Sequence, residues 1–236
     1  VAPSDVAPRK LVLWDLDGTL LHPAGFGLHV MGSAFLRLFG VDAPTGISFA
    51  GRTDRAILRD LIAAAVPAHA HRQDELHRLA ADVAEDSRAL FRSGGGRALP
   101  GALESIAALA RNPDVVQSVL TGNLERIGRL KLAEIQADDH LDLEVAAFGD
   151  DHAIRADLVV VARELAEKKY NAQFTGRAIV LIGDTPLDIA AAAAHDALAI
   201  AVATGRYSPA ELSDAGAHLV LPDLLHTDAL LAAIES

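Results

Sequence analysis

The sequence predicts an α/β fold: a doubly wound, Rossmann-like parallel sheet with an all-helical cap domain inserted into it. Three observations support this. Short apolar runs recur, each ending in small, hydroxylic or acidic residues. Helical patterns alternate with those runs from Gly101 onward. A long stretch of helical periodicity separates the first run from the second, where a βα connection would take only about 2–6 residues.

Leu11 to Trp14 is uninterruptedly apolar and ends in Asp15, the pattern of a strand buried on both faces of a parallel sheet. Alternation turns Trp14 away from Asp15 and into the core. Residues 22–97 form the expected cap, with helices over Leu28 to Leu38, Asp54 to Val66 and Asp74 to Phe91, and with Gly94-Gly95-Gly96 as a hinge. Residues 1–21 and 98–236 form the core. Its further strands are Val115 to Leu120, Leu143 to Ala147, Ala178 to Ile182 and Leu198 to Ala203. Helices are expected over Ala102 to Arg111, Leu124 to Ile135, Arg155 to Lys169, Leu187 to Ala194 and Pro209 to Ala215.

Composition narrows the function. The 236 residues are 51% hydrophobic and can bury a full core. Cys is absent, which excludes disulfides, thiolate chemistry and Cys-ligated metal sites. A net charge of −11 without a basic run disfavours a nucleic-acid partner and requires a metal ion or local cation to hold an anionic substrate. No apolar stretch is long enough to span a bilayer, and VAPSDVAPRK lacks the apolar block of a secretory signal, so a cytoplasmic location is expected. His69, His71 and His77 read as solvated helix residues.

Ligands of open α/β sheets bind at the C-terminal strand ends. Asp15, Asp17, Thr121, Asn123, Asp184 and Asp188 fall there, with Gly18, Gly122 and Gly183. Each has a plain alternative: Asn123 could cap the next helix, and Thr185-Pro186-Leu187-Asp188 fits a capping box. Together, clustered carboxylates repel one another unless a cation neutralises them, and hard oxygen ligands suit Mg²⁺. Two carboxylates two residues apart can divide phosphoryl transfer, one attacking phosphorus and the other moving protons. Thr121 and the backbone of Gly122 and Asn123 supply donors for phosphoryl oxygens.

Asp15-Leu16-Asp17-Gly18-Thr19-Leu20, Leu120-Thr121-Gly122-Asn123 and Gly183-Asp184-Thr185-Pro186-Leu187-Asp188 resemble the first, second and fourth motifs of the haloacid dehalogenase-like hydrolase superfamily, in its phosphatase branch with a helical type-1 cap. The resemblance spans nearly the whole chain. It implies that Asp15 is the nucleophile and a Mg²⁺ ligand, and that Asp17 is the acid/base and a metal ligand through its backbone carbonyl. It further implies that Thr121 binds the phosphoryl group, that Asp184 ligates Mg²⁺, and that Asp188 supports the metal or the cationic residue. Gly51-Arg52-Thr53-Asp54 resembles a cap segment of phosphoglycolate-phosphatase-like relatives, although Thr53 or Asp54 could simply cap the next helix.

The third motif departs from the family. Relatives with this cap mostly carry a Lys, often followed by Pro, and no Lys-Pro pair occurs here. Lys131 sits about 12 Å along its helix at about 1.5 Å per residue and is expected to point toward the wrong end of the sheet, as are Lys168 and Lys169. Arg155, at the start of a helix, is the favoured substitute and can hold carboxylate and phosphate bidentately. Otherwise it is a surface Arg pairing with Asp151 or Asp157.

The expected activity is Mg²⁺-dependent hydrolysis of a small-molecule phosphate monoester through an aspartyl-phosphate, with phosphoglycolate and sugar phosphates among the candidates. A β-phosphoglucomutase-type phosphomutase is the alternative, and a non-catalytic phosphate-binding regulatory protein is less favoured. A monomer or homodimer is expected.

Overall fold

The computed structural model describes residues 9–235. The segment in which a secretory signal was sought lies mostly outside the described residues.

Strand β1 (Lys10–Trp14) leads to a short β2 (Leu21–His22), after which four helices follow: α1 (Phe26–Phe39), α2 (Asp54–Ala65), α3 (Gln73–Asp86) and α4 (Arg88–Ser93). The chain returns through β3 (Arg97–Ala98), which pairs antiparallel with β2. It then alternates through α5 (Ala102–Leu109), β4 (Val115–Val119), α6 (Glu125–Ile135), α7 (Arg155–Tyr170), β5 (Ile179–Gly183) and α8 (Pro186–Ala193). The remaining elements are β6 (Leu198–Val202), α9 (Pro209–Asp214), β7 (Leu219–Leu221) and α10 (Thr227–Glu235). The main sheet is parallel, in the order β4-β1-β5-β6-β7.

Alternation along β1 divides the core. Val12 and Trp14 pack with Ile106 of α5, Ile127 of α6 and Leu230 of α10, while Leu11 and Leu13 pack with Leu158 of α7, Ile189 of α8 and Leu212 of α9. Both faces are therefore covered, which is why this strand reads as an unbroken apolar run. Trp14 is core as expected, and its indole N–H donates to Gln117 Oε1 at 3.1 Å.

Three expectations are corrected. Leu143 to Ala147 forms only a single bridge, Leu120 with Ala147, instead of a strand. The Asp142 carboxylate accepts from the Glu144 N–H and its carbonyl from Val145, so a turn consumes the start of the run. The helix expected from Asp74 to Phe91 is two helices divided at Ser87. His77 is buried and bonded to Gln73, because it lies on the inner stripe of α3 with Leu76, Ala80 and Ala84. His69 and His71 are exposed.

Candidate active site

The carboxyl end of β1 delivers Asp15 to the sheet edge, where its N–H donates to Ile182 on β5. The chain then turns tightly, with Gly18 at φ 93°. A side chain at Gly18 would collide with the Asp184 carboxylate, so glycine here permits both the left-handed backbone and the approach of β5's end. Thr204, after β6, donates its hydroxyl to the Gly18 carbonyl at 2.5 Å. The strand-end rule applied to β6 already points to Thr204, yet it lies outside the recognised motifs.

Asp15, Asp184 and Asp188 each offer a ligand oxygen, and the three oxygens lie within 4.8 Å of one another. All three residues are buried. Asp188 serves twice: Oδ2 accepts from the Thr185 N–H at 3.0 Å and hydroxyl at 2.6 Å, closing the capping box of α8, while Oδ1 pairs with Arg155 at 2.5 Å. Asp188 thus caps α8 and at the same time pairs with the cationic Arg155.

Arg155 opens α7 and is buried. Its Nη2 meets Asp15 Oδ1 at 2.6 Å and its Nη1 donates to the Gly51 carbonyl at 3.3 Å. It does not pair with Asp151 or Asp157; His152 takes Asp157. Burial opposes the Arg155 charge, but Asp188 and Asp15 overcome this and hold the guanidinium more firmly protonated than usual. Burial pushes the Asp15 carboxyl up to about 7 despite Arg155, with Asp188 adding to the rise. Asp184 is pushed up to about 9, first by burial and then by Asp15.

The Lys131 expectation is overturned. Lys131 is only 1% exposed, and its Nζ donates to Asp17 Oδ1 at 2.8 Å, to Asp17 Oδ2 at 2.6 Å and to Asn123 Oδ1 at 2.8 Å. Helical Cα–Cβ bonds tilt toward the N-terminus, so a long side chain reaches back over the preceding turn. Asn123 does not cap α6; Leu124 occupies that position, and the Asn123 amide donates to Asp17 Oδ2 and Thr121 Oγ1, each at 2.9 Å.

The cap reaches the same edge through Gly51 to Asp54. Thr53 caps α2 by accepting from Ala56 and donates its hydroxyl to the Ala153 carbonyl at 2.8 Å. Asp54 accepts from the Leu124 N–H at 2.9 Å, and its own N–H donates to the Gly122 carbonyl. A Cβ on Gly122 would strike the Arg52 carbonyl, so this contact requires glycine. Burial raises Asp54 to about 7, opposed by the Leu124 N–H and by Lys131.

Asp15, Asp17, Thr121, Gly122, Asn123, Arg155 and Asp184 line one cavity of about 1100 Å³ between the cap helices and the sheet edge. When all are ionised, Asp15, Asp17, Asp184 and Asp188 carry two negative charges more than Arg155 and Lys131 offset, the charge of a divalent ion. Asp184 Oδ1 is buried with no hydrogen-bond partner, an oxygen that such an ion would satisfy.

A family model described as haloacid dehalogenase-like hydrolase matches residues 12–193. Solved structures share the fold. A hydrolase from Pseudomonas syringae is 22% identical with a TM-score of 0.69, covering 97% of this chain and 100% of that one. CbbY from Rhodobacter sphaeroides in complex with phosphate is 19% identical with a TM-score of 0.70, covering 97% and 100%. A protein described as a predicted phosphoglycolate phosphatase from Haemophilus somnus 129PT is 15% identical with a TM-score of 0.67, covering 97% and 99%. No curated protein matches the chain.

Proposed function

Because the chain belongs to the haloacid dehalogenase-like hydrolases, we propose that it is a phosphatase that cleaves a small phosphate monoester through a phosphorylated Asp15. The observation that carries this reading is the meeting of Asp15, Asp184, Asp188 and Arg155 at the sheet edge, with Asp17 lining the cavity that Asp15 and Asp184 line.

In this reading an Asp15 carboxylate oxygen attacks phosphorus, and the bond from phosphorus to the leaving oxygen breaks. Asp17 carries the proton that the leaving oxygen takes up. Asp17 then accepts a proton from water as that water attacks phosphorus and releases Asp15. Its contacts to Lys131 and Asn123 hold both carboxylate oxygens in place for this exchange. Arg155 restrains Asp15 and faces the negative phosphoryl group, while Thr121 and the backbone N–H groups after it cradle the phosphoryl oxygens. Asp15, Asp184 and Asp188, with the Asp17 carbonyl, would hold Mg²⁺, which when bound neutralises carboxylate and phosphoryl charge.

The test is hydrolysis of 4-nitrophenyl phosphate with Mg²⁺ by the wild type and by Asp15→Asn. Turnover by the wild type and none by the variant is expected. Full turnover by Asp15→Asn would exclude the covalent route.

A further inference from the structure

Helix α1 carries apolar residues on two faces. Val30, Ala34 and Phe35 are buried against the rest of the cap. A helix with one buried face ordinarily presents polar residues on the other. Here Leu28, Gly32 and Leu36, four residues apart and therefore on one stripe, line the cavity instead. Leu28 is 66% and Leu36 47% exposed, so neither side chain is consumed by the protein core. A Cβ added at Gly32 would meet nothing within 4 Å, so the middle of the stripe is open space and not a close approach of two backbones.

Other cap residues that line the cavity are apolar too, Ile57 and Leu61 among them nearly fully buried, beside the polar His29, Ser33, Asp42 and Thr45. Ile47 and Phe49 precede α2, and Ile57 and Leu61 lie on it. Arg52 is the one Lys or Arg on the cap side of the lining among the described residues, and its guanidinium is held by Asp60 and by the Ser48 carbonyl at 3.1 Å. A leaving group bearing its own carboxylate would find no unpaired Lys or Arg on that side among the described residues, only the imidazoles of His22 and His29. Arg206, exposed on the loop after β6, belongs to the core side of the cavity. A volume of about 1100 Å³ also exceeds the needs of a two- or three-carbon ester, since cavities of about 300–1000 Å³ hold drug-sized ligands.

We infer that the ester taken by this site has a hydrocarbon-rich leaving group, alkyl or aryl, seated against the Leu28–Gly32–Leu36 stripe in the cavity that Phe49 and Leu61 also line, while its phosphoryl group meets Asp15. The inference rests on the phosphatase reading and narrows its substrate class away from phosphoglycolate and sugar phosphates. Leu28, Gly32 and Leu36 are specificity residues; none touches the reacting atoms.

Binding can be measured apart from turnover. In the presence of Mg²⁺, Kd is determined calorimetrically for n-alkylphosphonates from ethyl to hexyl, with 2-phosphoglycolate and glucose 6-phosphate as hydrophilic comparisons. Affinity should rise roughly fourfold per added methylene, as burial of hydrocarbon requires, and hexylphosphonate should bind at least tenfold tighter than either hydrophilic ester. Gly32→Leu, whose Cβ would meet no atom within 4 Å, should fill the stripe and flatten the dependence on chain length. A flat series in the wild type, a preference for the hydrophilic esters, or a chain-length gain that survives in Gly32→Leu would each overturn the inference. Hydrolysis of ethyl phosphate, followed separately, reports on the phosphatase reading. An enzyme that turns it over while binding every alkylphosphonate alike keeps the activity and loses the hydrocarbon site.

Discussion

One nitrogen of Arg155 lies against two carboxylates on different elements, Asp15 after β1 and Asp188 in α8. In the proposed reaction, removing the guanidinium leaves those charges facing the phosphoryl group, and loss of a charge-assisted contact of this kind costs roughly 2–4 kcal/mol at the transition state. Arg155→Ala should therefore lower kcat/KM about 30-fold to 1000-fold. Arg155→Lys should recover part of the loss, because it keeps the charge without the planar fork. Lys131 calls for a different expectation. Stranding a buried ionic partner costs about 3–5 kcal/mol, but the Asp17 side chain is 32% exposed, so solvent relieves part of this and roughly half is expected. Lys131→Met should therefore lower Tm as well as kcat, and an unchanged urea midpoint would show that Lys131 does not hold Asp17. Arg155 was legible in the sequence because it begins a helix at the strand-end side. Lys131 was not, because counting the helical rise places a Cα and omits a stem of four carbons that leans back toward the N-terminus.

At the scale of elements, the join between α2 and α6 depends on Asp54, which sits beneath the first turn of α6 and accepts from Leu124. Burial raises its carboxyl to about 7. The native chain thus retains a proton there that the unfolded chain releases near pH 4, so this group's contribution to stability falls as pH climbs from about 4 through 7. Asp54→Asn cannot titrate and should lose less Tm than the wild type between pH 5 and 8; parallel profiles would refute the assignment. The sequence shows why a Thr-Asp pair opens α2, since Thr53 is an ordinary cap. It does not show that the next carboxylate reaches across to another helix, because that contact joins residues 70 apart and depends on how the cap docks. The missing strand at Leu143 to Ala147 is the converse case: the apolar run is real, but the Asp142 side chain competes for the backbone locally and wins.

For the molecule as a whole, charge balance at the sheet edge makes stability depend on pH. With no divalent ion, burial holds Asp15 up to about 7 and Asp184 up to about 9. Both then carry protons that the unfolded chain lacks above about pH 4, and stability declines as pH rises through that window. Mg²⁺ favours the ionised carboxylates, so the Tm gained on adding it should grow from pH 5 to pH 8, vanish with a chelator and shrink in Asp184→Asn. A gain independent of pH would place the ion elsewhere. The parallel sheet was readable throughout because strands buried on both faces are written as continuous apolar words. The cap was readable as helices, but the apolar lining of its cavity was not, since Leu28 and Leu36 look like any other core leucines until the second face of α1 is seen to be open.

The central place of β1 has a kinetic side. Leu11 pairs with Val116 on one flank and with Ile179 on the other, so both neighbours of this first strand are synthesised about a hundred residues or more after it. Until then Lys10–Trp14 is a short apolar strand with two bare edges, separated from its partners by the whole length of the cap. Pairing at such distance in sequence is slow, because a long loop must close before any contact rewards it. The strand that leads into Asp15, the proposed nucleophile, is thus made first and secured last, and a nascent chain halted before β5 would present β1 to other chains as an open edge.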